Sequence, residues 1–326
     1  MRIYKKIGLT LFGLLGGLML GPLSMAAQPF PAQSIRLIVP FPPGGNIDET
    51  ARIVAPALTA TLHQSIVVVN MPGASGLLGA SYVARSKPDG YTLLLGSTGS
   101  VGSSPALNPA ATFSPIDDLT GIGGIQSVPI ILTVRDDSPI NNLHDLVAAS
   151  KSRHVTIGSS GFGSPAHLTI EYLIKNASLN ATFVPYQGSG PAITDLLGGQ
   201  VSAMADQVNS SLPFLKSKKI KAIVQFGEQR SRILPDVPTL AEEGVEGFTG
   251  LSWTGIFGPA HLPAEVTQTL ASALQTALSD KTVIKRFQDT GVDMMHISRP
   301  AFEQLVASDF KKAQSFGKSE NLTERP

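Results

Sequence analysis

Ser34-Ile-Arg-Leu-Ile-Val-Pro-Phe-Pro-Pro-Gly-Gly-Asn-Ile-Asp-Glu49 is the stretch on which the reading of the 326-residue chain turns. Ile35, Leu37 and Val39 alternate as a β-strand does, and Pro42, Pro43, Gly44 and Gly45 stop the strand where glycine lets backbone amides approach a bound group. Asn46 is placed to cap a helix. Glu49 stands three residues on, where a capping box takes a carboxylate, and Ala51, Val54, Leu58 and Leu62 continue at helical spacing. A helix N-terminus aimed out of a glycine loop suits an anion. An ordinary βα turn has the same features, so recurrence has to decide.

The pattern recurs. His154-Val-Thr-Ile-Gly158 opens into Ser159-Ser-Gly-Phe-Gly-Ser164, with Ser164 as the expected cap and Pro165 at the first helical position, where its missing N–H costs nothing. Thr182-Phe-Val-Pro-Tyr186 runs into Gln187-Gly-Ser-Gly190, and Pro191 opens a helix that ends at Gly198-Gly199. Tyr91-Thr-Leu-Leu-Leu95 ends in a fourth polar loop, Gly96-Ser-Thr-Gly-Ser100. The first three loops hold neither Lys nor Arg, so an anion there is held by backbone N–H groups, Ser side chains and helix dipoles.

Residues 1–27 read as a secretory signal: Arg2, Lys5 and Lys6, an apolar run from Ile7 to Leu20, and small residues that allow cleavage after Ala26 or Ala27. The apolar run is shorter than the roughly 20 residues a spanning helix needs. There is no cysteine, hence neither a lipid-attachment thiol nor a disulfide framework. The expectation is a soluble periplasmic protein. Removing the signal leaves 22 basic against 24 acidic residues, about −2, which argues against nucleic acid as a partner. About 300 mature residues exceed what one core usually covers, so two lobes are expected.

Strands alternating with helices predict an α/β chain with mostly parallel sheets, whose ligands sit beyond the carboxyl ends of the strands. Residues 119–134 are apolar and extended, and read as a crossing between lobes. Residues 219–225 form a second apolar strand able to carry the chain back. Helices at 263–279, 281–290 and 300–316 are expected over the first lobe. The domain reading is therefore 28–126 with 227–326 as lobe 1 and 127–226 as lobe 2, with the cleft between them.

The chemistry of the loops admits two roles. Ser159, Ser160 and Ser164 with His167 nearby raise a serine hydrolase, but a nucleophile elbow requires G-x-S-x-G, and Gly158-Ser-Ser-Gly161 is one residue short. The six histidines lack ligand spacing on any one helix, so no metal is expected. Gly161 and Gly163 do not complete a dinucleotide fingerprint, and no cofactor is expected. Asp206 ends a strand, where it either caps the next helix or meets a ligand amine or hydroxyl. Trp253 is open between core packing and cleft lining.

Together, residues 35–45 followed by Asp48 and Ala51-Arg52, then Asn70-Met-Pro-Gly-Ala74, Pro88-Asp-Gly-Tyr91, Gly158-Ser-Ser-Gly161, Val184-Pro-Tyr186, Asp195-Leu-Leu-Gly-Gly-Gln-Val201, Leu234-Pro-Asp-Val-Pro-Thr239 and Ser252-Trp253 resemble the Bug receptors, periplasmic solute-binding proteins of tripartite tricarboxylate transporters. The resemblance spans nearly the whole mature chain. It implies a two-lobed type II periplasmic binding protein fold, no catalysis, small carboxylate ligands, membrane permease partners and a monomer. It also implies that the loops at 43–46 and 159–164 grip a carboxylate, with Asp48 and Asp206 at the cleft. Asn46, Ile47, Ser202, Ala205 and Gln207 depart from the residues usual in that family. The candidate ligand-binding set is Phe41, Pro43, Gly44, Gly45, Asn46 and Asp48 in the first loop, Ser97 and Thr98 in the next, Ser159, Ser160, Ser164 and His167 in the third, and Gln187, Gly188 and Asp206 beyond them.

Overall fold

The computed structural model describes residues 29–322 apart from 247, 296, 320 and 321. The expected signal segment lies outside them. In chain order the first part contains β1 (Ile35–Val39), α1 (Asn46–Leu62), β2 (Ile66–Asn70), α2 (Leu77–Ala84), β3 (Thr92–Ser97), a π-helical turn (Thr98–Ser103) and α3 (Ser104–Leu107). Then come β4 (Leu119–Arg135), α4 (Leu143–Ser152), β5 (Val155–Ser159), α5 (Pro165–Asn176), β6 (Ala181–Pro185), α6 (Ser189–Leu197), β7 (Ala203–Gln207), α7 (Val208–Lys216) and β8 (Ile220–Gln225). The chain closes with β9 (Leu251–Pro259), α8 (Ala264–Leu278), α9 (Lys281–Asp289), β10 (Asp293–Met294) and α10 (Arg299–Ser319).

One long strand organises the molecule. Residues 119–129 of β4 pair with β9, which in turn pairs with β3, giving the order β2-β1-β3-β9-β4 with β10 on β4. From Ile130 onward the same strand pairs with β7 and β8, and the second sheet continues through β5 to β6. The βαβ units pair in parallel, β1 with β2 and β3, and β5 with β6 and β7, so the helix starts that follow these strands share one edge. The crossing strands β4 and β9 pair antiparallel.

The alternation in β1 serves two faces. Ile35, Leu37 and Val39 enter one core with Ala51, Val54, Leu58 and Leu62 of α1 and Leu270 and Leu274 of α8, while Ile38 enters another with Leu77 of α2 and Phe302 of α10. Burying a Leu or Ile side chain contributes about 1.5–3 kcal/mol, which is why the apolar spacing dominates here. Trp253 belongs to the second of these cores, edge-on to Phe302 and bonded through Nε1 to Asp309 at 2.7 Å, so it packs in the core and does not line the cleft. The second sheet has its own cores, one around Leu132, Ile157 and Ile170, the other around Ile193, Leu196 and Met204.

β8 pairs with the second half of β4 and does not carry the chain back. Leu240 N–H donates to Gln225 O at 2.9 Å, and Leu240 is buried among Ile223, Val224 and Phe226. The return comes at Gly250, well past residue 227, where Phe226 N–H donates to Ile130 O and Ile130 N–H donates to Gly250 O, each at 2.9 Å.

Candidate functional site

β1, β3, β5, β6 and β7 each end at one cleft and each is followed by a helical start. Gly45 is the N-cap of α1, Ser97 of the π-helical turn, Ser164 of α5, Gly188 of α6 and Gln207 of α7. All five capping residues line a single cavity. No side chain that lines it among the described residues is charged. The positive ends of these helices therefore meet where no Lys or Arg competes, and each contributes typically 0.3–1 kcal/mol toward a nearby anion.

The caps differ in what they leave free. Gly45 makes no side-chain cap, and the first helical bond runs from Glu49 N–H to Gly45 O at 2.9 Å, so the amides of Asn46, Ile47 and Asp48 have no acceptor within the helix. Gly188 likewise leaves the start of α6 uncapped, and Pro191 lies within its first turn. Ser164 caps α5 by accepting His167 N–H at 3.1 Å, and Ser97 accepts Ser100 N–H at 3.3 Å.

Asn46 is not the cap of α1 but its first residue, and no capping box with Glu49 forms. Its side chain is drawn elsewhere: Oδ1 accepts from Gln126 Nε2 at 2.8 Å and from Asn209 Nδ2 at 2.5 Å. Thr50 fixes the amide orientation. Its hydroxyl donates to Asn46 O at 2.8 Å, so it can only accept from Gln126, whose Nε2 lies 2.5 Å away and in turn requires an oxygen from Asn46. Asn46 Nδ2 is then left on a residue 3% exposed, in the cavity wall, with no partner among the described residues. A buried unpaired donor costs about 1–3 kcal/mol, which a ligand acceptor offsets.

Phe41, Pro43, Gly45, Asn46, Ser97, Ser160, Ser164 and Gly188 of the expected set line the cavity. The rest stand behind its wall or apart from it. Gly44 gives its N–H to Asp48 Oδ2 at 3.0 Å, and the buried Asp48 also binds Arg52 at 2.9 Å and Asn70 at 2.9 Å. Burial pushes the Asp48 carboxyl up, but the bonds from Arg52, Asn70 and Gly44 outweigh it and hold the group below its ordinary value. Asp48 thus shapes the glycine loop from beneath. Thr98 accepts Trp253 N–H, Ser159 sits under Ser164 at 3.3 Å between hydroxyl oxygens, and Gln187 is exposed. His167 is 1% exposed and stacked on Phe183, its Nδ1 accepting Gly163 N–H at 3.0 Å and its Nε2 3.3 Å from Glu171. Both ring nitrogens face groups other than a serine hydroxyl, so no Ser–His pair is assembled.

Asp206 is wholly buried under the wall. Burial pushes its carboxyl up to about 6, against hydroxyls of Ser189, Ser210 and Ser211 and the amide of Gln207, which lower it. Its folded value lies above the unfolded one, so its contribution favours the fold fully below about 3.9 and is lost as pH rises through about 6. Wild type is expected to gain on the order of 1 kcal/mol on Asp206→Asn between pH 7 and pH 5, or one to three degrees of melting temperature. Differential scanning calorimetry of both at the two pH values checks this; parallel pH profiles would refute it.

The candidate set left out Ser189, Gly190 and Gln207, which also line the cavity, although Gln207 was among the positions that depart from the family pattern. Ser189 and Gly190 belong to a loop already quoted, and Gln207 follows Asp206 at the strand end, so position was the available signal. The two halves meet across the cleft: Ser103 Oγ donates to Gly163 O, Ser104 Oγ donates to Phe162 O at 3.3 Å, and a Cβ on Gly188 would lie 3.3 Å from Pro42. No described helix is long and apolar enough to cross a membrane, and no described group of three or more His, Asp or Glu is placed to hold a metal ion.

Comparison with known proteins agrees with this geometry. The chain is 35% identical over 293 residues to Protein BugT of Bordetella pertussis, covering 88% of this chain and 89% of that one. Among solved structures it superposes on the periplasmic binding protein BugD with a TM-score of 0.85 at 31% identity, covering 90% and 99% of the two chains. It superposes on MatC from Rhodopseudomonas palustris with bound malate with a TM-score of 0.83 at 32% identity, covering 88% and 99%. The fold is thus the two-lobed type II periplasmic binding protein fold, and these neighbours are binding proteins. The family model described as tripartite tricarboxylate transporter family receptor matches residues 50–322, and the chain belongs to that family, TctC, of periplasmic solute-binding receptors.

Proposed function

We propose that the protein captures a small carboxylate in the cleft between its lobes and delivers it to the membrane permease subunits of a tripartite tricarboxylate-type transporter. The observation that carries this reading is the convergence of five helix N-caps on a cavity whose lining has no charged side chain. Such a wall has many donors and no fixed charge, and a carboxylate gains about 1.5–3 kcal/mol per charge-assisted bond there. The malate held by MatC supports the same ligand class. The protein works as a monomer in the periplasm after cleavage behind Ala26 or Ala27. Its first lobe comprises residues up to about 129 and from 251 on, and the strands crossing at 129–130 and 250–251 act as the hinge.

A ligand that binds only the folded state adds roughly 2.7 kcal/mol at a hundredfold excess over its Kd, a few degrees of melting temperature in a chain of this size. A thermal-shift panel of mono-, di- and tricarboxylates, with aromatic and amino acids, is expected to yield at least one hit that is bound and not consumed. Native mass spectrometry of the protein purified without added ligand checks the same point. If only uncharged solutes raise the melt, the carboxylate reading is wrong; turnover of a hit would point to an enzyme.

A further inference from the structure

We infer that Ser189 is a specificity-determining residue of the cleft, an acceptor-only hydroxyl that faces the donors of the Asn46 amide and the helix starts, and that it selects carboxylates bearing a hydroxyl or ammonium group over their unsubstituted counterparts. The inference rests on the carboxylate reading above and names the class of acid.

The assignment follows from where the protons go. Ser189 Oγ lies 2.6 Å from Asp206 Oδ1 and 3.4 Å from Gln207 Oε1, both acceptors, so its single proton is spent inside the protein. What Ser189 presents to the cavity it lines is a lone pair. Asp206 is held in that role: its other oxygen accepts from Ser210 at 2.5 Å and from Ser211 at 3.2 Å, and the whole group is shut away from solvent. Elsewhere the wall supplies donors. Asn46 offers Nδ2 because its oxygen is taken by Gln126 and Asn209. Ser97 and Ser164 accept backbone amides and share their hydroxyl protons with Ser100 and Ser159, each at 3.3 Å, and the Ser160 side chain makes no hydrogen bond among the described residues, so its proton is open to a ligand. The helix starts add amides. A ligand with acceptors alone satisfies the donors but leaves Ser189, 7% exposed and backed by a buried carboxylate, facing an oxygen. A ligand that also carries an O–H or N–H donor completes both ends. A site built to hydrogen-bond a substrate hydroxyl or amine rejects the analogue that lacks it, because the site's own polar group is then left unpaired.

The test uses matched triplets by calorimetric titration of the mature protein: succinate, malate and aspartate; their five-carbon counterparts; and phenylacetate, mandelate and phenylglycine. Wild type is expected to bind a hydroxy or amino member of at least one triplet ten times or more tighter than the unsubstituted acid. Ser189→Ala, after circular dichroism shows it folded, is expected to erase that preference by weakening the donor-bearing acid at least tenfold while the unsubstituted acid stays within about twofold. Asp206→Asn separates the two sources of the donor, since loss of the buried charge weakens an ammonium far more than a hydroxyl. Wild type binding the unsubstituted acid as tightly as its substituted partners overturns this inference and leaves the carboxylate reading standing, and so does a Ser189→Ala variant that weakens all three equally. A wild type that binds no acid of any triplet or of the wider panel overturns both.

Discussion

Gly45→Val is expected to weaken carboxylate binding at least tenfold, about 1.4 kcal/mol, and to leave the melting temperature of the free protein almost unchanged. Gly45 is at φ −94° and ψ 174°, extended backbone that Val accepts, and a Cβ there would meet no atom within 4 Å. The added isopropyl group therefore strains nothing in the fold and occupies space on the cavity wall, where a ligand approaches the uncapped amides of α1. Arg52→Ala makes the contrast. Its guanidinium bonds to Asp48 at 2.9 Å from a side chain 54% exposed and does not line the cavity, so its removal changes affinity by less than tenfold. Calorimetric titration of both variants with the strongest acid of the thermal-shift panel decides the matter. Binding lost in Arg52→Ala and intact in Gly45→Val would mean that a side-chain salt bridge, not a cradle of amides, holds the acid.

Gly163→Ala is expected to cost at least tenfold in affinity by a different route, the meeting of the lobes. Gly163 has φ +73°, where a side chain costs roughly 1–2 kcal/mol in any state of the cleft, which should lower the melting temperature of the ligand-free protein by a few degrees. A Cβ at that position would also lie 2.9 Å from Ser104 Cα, a backbone atom of the opposite lobe that cannot swing aside. That second penalty exists only when the lobes touch, so it falls on the closed form and reappears as lost affinity. Small-angle scattering is the direct readout: wild type contracts with saturating acid, and Gly163→Ala contracts less. Equal contraction and equal affinity in the two proteins would show that the contact does not limit closure.

The sequence by itself determined the elements whose causes are local. The strand Ile35–Val39, the glycine stop after it, Ser164 as a cap with Pro165 behind it, and the long crossing strand Leu119–Arg135 all follow from apolar period, proline and glycine chemistry and short-range side-chain bonding. So does the gathering of strand-end loops free of Lys and Arg around one cavity, because parallel βαβ units bring those ends to one edge. What only the tertiary structure decided has its cause at long range. Asn46 was legible as a cap, yet its oxygen is claimed by Gln126 and Asn209, 80 and 163 residues away, and nothing within its own helix announces them. His167 sits beside the serine loop in sequence, but stacking on Phe183 and the bond from Gly163 turn its ring into the core. Asp206 was legible as a strand-end carboxylate, and whether it touched ligand or protein depended on α6 and α7 closing over it with three serine hydroxyls. Ser189 became an acceptor through that burial alone, since the direction of a hydroxyl proton is set by whichever stronger acceptor the fold brings nearest.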